Sequence, residues 1–279
     1  MDTLAKSPEI DSYYRAVASY YDEDARTFQA RSTANPVLQR LREQFRAASA
    51  PFVRSNVLEI GCGPGMDLVY WASQKPGATI HGIDISPGML QRAEENVTGH
   101  GLGNVRTALG TIEDVPELFP EIRFDFAYCY FGALNTTRDL GRTAELLRAV
   151  LTPGGTALLT FVNRWYLVEI LYGLLRFRWR KAVARLKPNW GGYATNRALA
   201  SRCYSPGDIR RAFAKQFEIT DTRGYSILYP AWYRNHRWIT KFGVTAEVLW
   251  KADGVLNRTP CWSWGEYALY ILRARDQTR

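Results

Sequence analysis

The chain has 279 residues, of which 46% are hydrophobic and 23% charged, and its formal net charge is +9. These proportions are ordinary for a folded globular protein and exclude an intrinsically disordered chain. No apolar run reaches the roughly 20 residues that a membrane-spanning helix needs. The amino terminus lacks the basic and apolar segments of a secretory signal. We therefore expect a cytoplasmic protein.

The four cysteines, Cys62, Cys129, Cys203 and Cys261, lie far apart and are accompanied by only three histidines. No two cysteines have the short spacing of a zinc ligand pair. A free cysteine usually behaves as a small hydrophobic residue. We therefore expect reduced thiols and no metal site.

The positive charge is concentrated in one segment. Between Ile170 and Gly207 there is no aspartate or glutamate, whereas eight basic residues occur there and carry +8 of the net +9. Such a segment is typical of a contact with an anionic partner, and equally of a solvated helix face. The eight residues are Arg176, Arg178, Arg180, Lys181, Arg185, Lys187, Arg197 and Arg202.

The predicted elements begin with helices over residues 8–49 and then alternate between strands and helices. Later helices are predicted to begin near residues 66, 86, 138 and 205, and at Ser86 and Ser205 a serine followed by proline marks the start. Short apolar runs between them predict strands. This alternation predicts a Rossmann-like, doubly wound, mostly parallel α/β sheet of seven strands. The predicted strands cover residues 57–60, 79–84, 105–109, 124–130, 156–162, 218–228 and 267–272.

Two segments interrupt this alternation and are predicted to be lids inserted into one domain that covers residues 1–279. Both are rich in tryptophan and tyrosine, and the first also holds the basic residues. The predicted parts are amino-terminal helices (1–50), a cofactor-binding core (51–163), a first insertion (164–204), and the rest of the core (205–279) with a second insertion (229–264).

A glycine-rich loop follows the first predicted strand. It reads Glu59-Ile60-Gly61-Cys62-Gly63-Pro64-Gly65, and an acidic residue, Asp84, ends the second strand. Glycine lets the backbone turn tightly and approach a ligand closely. A carboxylate at the end of the second strand can accept hydrogen bonds from ribose hydroxyls. The pattern predicts a nucleotide-like ligand, although a NAD site also fits the glycines, and a helix cap near Ser86 also fits Asp84.

The segment 57–65 resembles motif I of the class I S-adenosylmethionine-dependent methyltransferases that act on small molecules. Residues 82–90 resemble the second motif of that family, and residues 151–155 resemble its turn before the fifth strand. The resemblance covers residues 53–163 in order and spacing, and the later core more loosely. It implies an enzyme that uses S-adenosylmethionine.

The resemblance also implies roles for single residues. Glu59 would orient the loop or the methionine ammonium, and Asp84 would hold the ribose, with Ile85 beside the adenine. The third motif departs from the family, because Thr111 replaces its usual acid, which leaves Glu113 or Asp114 as alternatives. The expected cofactor-binding residues are Tyr21, Glu59, Gly61, Cys62, Gly63, Gly65, Asp84, Ile85, Met89, Thr111, Ile112, Glu113, Tyr130 and Phe131.

Two aromatic pairs are candidates for contacts around the reacting atoms. Tyr130 and Phe131 follow the fourth strand, where this family faces the sulfonium, and Tyr20-Tyr21, followed by Asp22, resembles a Tyr-Asp element that closes over the cofactor. Both pairs are also typical of plain packing. The catalytic candidates are Tyr130 and His236, since a neutral imidazole titrates near working pH. A lone histidine among aromatic residues is also commonly structural.

The methyl acceptor is predicted by exclusion. Residues 129–135 lack the prolines of enzymes that methylate exocyclic base nitrogens, and no Pro-Cys nucleophile lies after the fourth strand. The apolar and basic first insertion suits a lid over a hydrophobic acceptor, an interfacial helix on an anionic membrane, nucleic-acid stacking or a solvated helix. We expect a hydrophobic or aromatic small-molecule acceptor, with peripheral membrane contact as a further possibility. The alternatives are RNA methylation and non-catalytic S-adenosylmethionine binding, and the sequence does not indicate an oligomeric state.

Overall fold

The computed structural model describes residues 8–193, 198–233 and 239–276. Its centre is one seven-stranded sheet. The strands are β1 (Asn56–Ile60), β2 (Thr79–Asp84), β3 (Val105–Leu109), β4 (Phe124–Cys129), β5 (Leu151–Val162), β6 (Phe217–Tyr225) and β7 (Tyr267–Ala274). Their order in the sheet is β3-β2-β1-β4-β5-β7-β6. Strands β1 to β5 are parallel, and β7 runs antiparallel between β5 and β6.

This sheet confirms the predicted Rossmann-like fold, and β2 and β3 have the predicted bounds. The start of β5 was predicted five residues too late, at Thr156, because Pro153-Gly154-Gly155 was expected to be a turn. In the structure, β5 already pairs with β4 at Leu151, and the register then shifts within a bulge before Thr156. Gly154, with φ of +69°, lies in that bulge.

The helices are α1 (Pro8–Ala34), α2 (Pro36–Ser49), α3 (Met66–Gln74), α4 (Pro87–Gly99), α5 (Val115–Leu118), α6 (Leu140–Val150), α7 (Leu167–Leu175), α8 (Trp179–Ala182), α9 (Pro206–Phe213) and α10 (Ile239–Leu256). Several begin at a side-chain cap that the sequence shows. Asn35 accepts from the amides of Val37 and Leu38, and Ser205 forms a reciprocal capping box with Asp208. Each cap satisfies amides that the first helical turn leaves unpaired.

The two faces of the sheet are covered by different helices. On one face, Leu41 of α2 and Leu68 of α3 belong to the cluster that contains Val57 of β1. On the other face, Leu147 of α6 and its neighbours pack with Leu58. Because adjacent strand residues point to opposite faces, β1 is buried on both sides.

The two insertions have helical structure of their own. In the first, α7 and α8 form a hairpin that packs closely, since a Cβ on Gly173 would lie 2.8 Å from the Cβ of Ala182. The second insertion contains α10 and a 3₁₀ turn over Pro260–Trp264. Within the described ranges, no helix combines the length and apolarity that crossing a bilayer demands.

Candidate cofactor and acceptor site

The glycine loop after β1 is held against the end of β2. The amides of Gly61 and Cys62 both donate to the carbonyl of Ile83, at 2.8 and 3.0 Å. Gly61 has φ of +71°, and a Cβ there would lie 2.4 Å from that of Ala133. Gly63 also has positive φ (+53°), but nothing lies within 4 Å of where its Cβ would be. The loop therefore needs glycine at both positions, and at Gly63 its backbone is open to a ligand.

Asp84, at the carboxyl end of β2, braces this loop. One carboxylate oxygen accepts from the amide of Gly63 at 2.7 Å, and the other accepts from the amide of Ser86 at 2.9 Å. Burial nevertheless raises the pKa of Asp84 to about 6. A carboxylate has about four lone-pair sites, so two backbone donors leave capacity for ribose hydroxyls.

Glu59, at the carboxyl half of β1, lies behind the loop and is buried. It accepts a hydrogen bond from the hydroxyl of Tyr128 at 2.9 Å. Burial, with the nearby charge of Asp67, raises the pKa of Glu59 well above its ordinary value. Asp67 itself is paired with Arg42 and Arg46. Two buried carboxylates therefore lie close together beside the loop, and the arginine pair compensates one of them directly.

One large cavity, of about 1010 Å³, lies at the carboxyl ends of these strands. Its volume is at the upper end of the range for small-molecule sites, which is about 300–1,000 Å³. The described residues thus enclose more space than one ligand of modest size requires. The predicted cofactor residues on its wall are Tyr21, Glu59, Gly61, Cys62, Gly63, Asp84, Ile85, Met89, Thr111, Ile112, Tyr130 and Phe131.

Two predicted cofactor residues lie outside the cavity wall. A Cβ on Gly65 would lie 2.9 Å from that of Ala93, so Gly65 permits α3 to begin close to α4. Glu113 accepts a hydrogen bond from the hydroxyl of Tyr14 at 3.2 Å. His236, the predicted base, lies outside the described residues.

Helix α1 crosses the site and is attached to three separate parts of the chain. Asp22 accepts from the hydroxyl of Ser86 and from the amide of Gly88, at the start of α4. Tyr14 donates to Glu113 after β3, and Tyr13 donates to the carbonyl of residue 200 in the first insertion at 3.0 Å. Tyr20 and Tyr21 lie on the cavity wall, and the neighbouring Asp22 anchors this part of α1 to the start of α4.

Tyr130 and Phe131 lie on the wall after β4. The hydroxyl of Tyr130 donates to Ser49 of α2 at 2.6 Å, so this group is engaged in the core. Phe131 has φ of +54°, which is rare for a bulky residue. Its ring packs against Phe45 and lies 4.8 Å from the guanidinium of Arg42. Such backbone strain concentrates at functional sites.

One part of the cavity wall is aromatic, and we call it the aromatic chamber. Its residues come from both insertions and from the first residue of β7. The ring centroid of Tyr193 lies 4.6 Å from that of Trp190, 4.9 Å from that of Trp232 and 5.1 Å from that of Tyr233. The chamber consists of Trp190, Tyr193, Trp232, Tyr233 and Tyr267.

A buried ionic network lies directly behind the aromatic chamber. The hydroxyl of Tyr193 donates to Glu266 at 2.9 Å, and Arg185 lies 3.6 Å from the same carboxylate oxygen. Arg185 also pairs with Glu169. The second oxygen of Glu266 has no hydrogen-bond partner among the described residues. Burial raises the pKa of Glu266 to about 7, against the opposing effect of Arg185.

Sequence reasoning missed this network and most of the chamber. Glu266 lies one residue before β7, with no capping or motif signal, and Arg185 was grouped with the exposed basic residues. The density of aromatic residues in both insertions was the only usable signal. It did not indicate which aromatic residues of one insertion contact those of the other.

Comparison with known proteins fits this geometry. A family model described as a methyltransferase domain matches residues 57–155, which span the glycine loop and Asp84. The aklanonic acid methyltransferase DauC of Streptomyces sp. (strain C5) is 30% identical over 143 residues, or 49% of this chain and 62% of that protein. This part of the chain is therefore similar to methyltransferase domains.

A second relative matches a longer part of this chain. The malonyl-acyl-carrier-protein O-methyltransferase of Pseudescherichia vulneris is 29% identical over 180 residues, or 63% of this chain and 62% of that protein. The chain thus spans about three-fifths of the length of both relatives. The solved structure of the cyclase SpnF has a TM-score of 0.61 with 17% identity, covering 93% of this chain and 95% of that one. At that identity the likeness shows the fold alone.

S-adenosylmethionine is the cofactor that the methyltransferase resemblance implies, and the residues present fit it. Gly63 leaves the backbone open to close approach. Asp84 offers a carboxylate on the cavity wall at the position where ribose hydroxyls are held in this fold. Glu59, also on the wall, places a second acidic group near the loop.

Proposed function

We propose that this protein is a methyltransferase that transfers the methyl group of S-adenosylmethionine to a hydrophobic or aromatic small molecule held in the aromatic chamber. The observation that carries the proposal is that the glycine loop and the aromatic chamber line one cavity. A donor and an acceptor can then lie side by side in the same enclosed space. Rings and apolar edges bury aromatic ligands effectively, and few polar groups are needed to orient them.

Most of the catalytic effect in this proposal comes from positioning. S-adenosylmethionine, when bound, supplies a methyl group on a sulfonium, which departs as a neutral thioether. Holding two reactants in the correct orientation can lower the activation free energy by roughly 7–11 kcal/mol relative to their free encounter in solution. The anchored α1 and the strained Phe131 give the cavity a fixed shape, which supports this role. The wall between loop and chamber therefore orients the acceptor.

An acceptor with a hydroxyl or amine must also lose a proton. Tyr193 is on the chamber wall and already donates to Glu266. We propose that Tyr193 accepts the proton of the acceptor while its own proton moves to the carboxylate of Glu266. The acceptor atom would thereby keep a free electron pair for the methyl group that S-adenosylmethionine would supply when bound. Tyr193 is the catalytic residue in this scheme, and Glu266 is a positioning residue that acts through it.

The test is turnover with a panel of phenolic, polyketide-like and isoprenoid compounds, using S-adenosylmethionine with a deuterated methyl group. We expect S-adenosylhomocysteine to form together with a product that carries the label. Replacing Trp190→Ala or Trp232→Ala should raise KM for the acceptor and leave S-adenosylhomocysteine affinity unchanged. Asn189→Ala, a neighbour of Trp190 that is absent from the cavity wall, is the control.

The proposal is wrong if labelled methyl appears on RNA and on no compound of the panel. It is also wrong if Trp190→Ala lowers cofactor affinity and turnover equally, because the chamber would then be part of the cofactor site. S-adenosylhomocysteine binding with no turnover on small molecules or RNA would favour a non-catalytic binding protein.

A further inference from the structure

The hairpin formed by α7 and α8 exposes a row of large apolar side chains. Leu171 and Leu175 lie one turn apart on α7 and therefore share a face. Leu175 is 78% exposed, and Phe177, in the connection to α8, is 81% exposed. Side chains this exposed contribute nothing to the core. The apolar row, as we name it, consists of Leu171, Leu175, Phe177, Trp179 and Val183.

Close packing between α7 and α8 keeps the apolar row on the outside of the hairpin. Gly173 of α7 contacts Ala182 of α8 closely enough that a Cβ would clash. Phe177 has φ of +55°, a costly conformation for an aromatic residue. A glycine or asparagine would relieve that cost, yet the position carries a phenylalanine whose ring is in solvent. A ligand for the ring would explain this combination.

Basic side chains alternate with the apolar row. Arg176, Arg178, Arg180 and Lys181 are exposed, and Lys187 follows on the same segment. Arg185 is different, because it is buried between Glu169 and Glu266 and is not available to a partner. The exposed part of the segment therefore presents positive charge with no acidic residue between Ile170 and Gly207.

None of the residues of α7 and α8 lies on the wall of the cavity. The first insertion is thus divided, because Trp190 and Tyr193 line the chamber whereas the hairpin does not line the cavity. Covering a bound acceptor is therefore not the task of the apolar row. The hairpin needs another partner, and that partner must match both exposed hydrocarbon and exposed positive charge.

We propose that this hairpin docks the protein on the surface of an anionic lipid bilayer. Exposed apolar side chains with flanking cations are the composition of segments that lie in a membrane interface. A bilayer matches both the exposed hydrocarbon and the positive charge, since acyl chains bury the apolar row and lipid phosphates face the arginines. RNA is the less suitable partner, because leucine and valine cannot stack on bases as aromatic rings do.

The experiment is co-sedimentation of the full chain with vesicles. One vesicle type contains phosphatidylglycerol and phosphatidylcholine in equal parts, and the other contains phosphatidylcholine alone. We expect binding to the anionic vesicles, with roughly a fivefold contribution from each basic residue near the surface. Salt should weaken the binding but leave a remainder, because burial of the apolar row is not screened.

Two variants separate the contribution of apolar burial from that of the positive charge. Leu175→Ser with Phe177→Ser should lower vesicle partitioning by at least about tenfold at all salt concentrations. Arg176→Gln with Arg178→Gln and Arg180→Gln should remove most of the salt-dependent part. Val244→Ser with Val255→Ser is the matched control, since these valines of α10 are 83% and 73% exposed. That control should bind vesicles like the unmodified protein.

Affinity for S-adenosylhomocysteine should be the same in all these variants, which shows that they are folded. The proposal is overturned if anionic vesicles do not bind the unmodified protein. It is also overturned if the Leu175 and Phe177 variant binds vesicles as tightly as the α10 control. Tight RNA binding that the arginine variant abolishes, without vesicle binding, would identify the segment as a nucleic-acid contact instead.

Discussion

Asp84 accepts a hydrogen bond of 2.7 Å from the backbone amide of Gly63, which ties the end of β2 to the glycine loop after β1. The two residues that the sequence proposed separately, one for loop flexibility and one for ribose recognition, are thus parts of one unit. The carboxylate both shapes the loop and faces the cavity. Its replacement should therefore affect cofactor binding in two ways.

We expect Asp84→Ala to weaken S-adenosylhomocysteine binding by roughly 1–3 kcal/mol, since an unmatched polar group costs about that much. Isothermal titration calorimetry measures this directly. Glu117→Gln is the control, because this carboxylate lies outside the cavity wall. An affinity equal to that of the unmodified protein would remove Asp84 from the site.

Cofactor affinity should also depend on pH. Burial raises the pKa of Asp84 to about 6, so this carboxyl is protonated in the ligand-free protein below that pH. A protonated carboxyl accepts fewer hydrogen bonds, and proton uptake then competes with binding. We expect affinity to be constant above about pH 7 and to fall by up to about tenfold per unit below about pH 6. In Asp84→Asn this dependence should disappear, and if it persists another group, such as Glu59, is responsible.

Much of the fold, and the lining of the cavity by the glycine loop and Asp84, was predictable because these signals are local. Short apolar runs gave the bounds of β2 and β3, the glycines follow the run of β1, and Asp84 ends β2. The aromatic chamber was not predictable in this way. Trp190, Trp232 and Tyr267 come from three distant segments, and only the packing of both insertions against β7 brings them together.

Which of the basic residues are exposed was likewise not predictable from the sequence. Eight basic residues in one acid-free segment appeared equivalent in the sequence, yet Arg185 is 2% exposed and pairs with Glu169. Glu169 lies just before the acid-free segment, and Glu266 is far away in sequence. A count of charges cannot separate a buried ion pair from an exposed patch. Burial is a tertiary property, so this assignment needed the structure.

The Tyr193–Glu266 pair predicts a pH profile for turnover once an acceptor has been identified. Because the pKa of Glu266 is raised to about 7, its carboxylate accepts a proton only above that pH. We expect kcat/KM to rise with pH and to level off above about pH 8. Tyr193→Phe should lower kcat by roughly 10²–10⁴-fold, which is the usual contribution of a general base.

Glu266→Gln should flatten that profile while acceptor KM changes little. Tyr172→Phe serves as the control, because Tyr172 lies on α7 and is absent from the cavity wall. If Tyr193→Phe retains both full kcat and the unmodified pH profile, the pair has only a structural role.

Arg185 provides the last prediction, which concerns stability. Removing one partner of a buried ion pair usually costs about 3–5 kcal/mol, because the remaining charges stay buried and uncompensated. We expect Arg185→Ala to lower the free energy of unfolding by about that amount in urea titrations at pH 8. Arg211→Ala is the control, since this arginine is 83% exposed and its ion pair with Asp208 is long, at 3.8 Å. This substitution should lower the free energy of unfolding by less than about 0.5 kcal/mol.

The cost of Arg185→Ala should also be smaller at pH 6. The folded protein raises the pKa of Glu266 above its unfolded value, so folding favours the protonated carboxyl. That contribution to stability is complete below the unfolded pKa of about 4.3 and is lost as pH rises through about 7. Without Arg185 the pKa rises further, and a neutral Glu266 at pH 6 needs no cation. An equal loss of stability at both pH values would mean that Glu169, and not Glu266, is the carboxylate that Arg185 chiefly compensates.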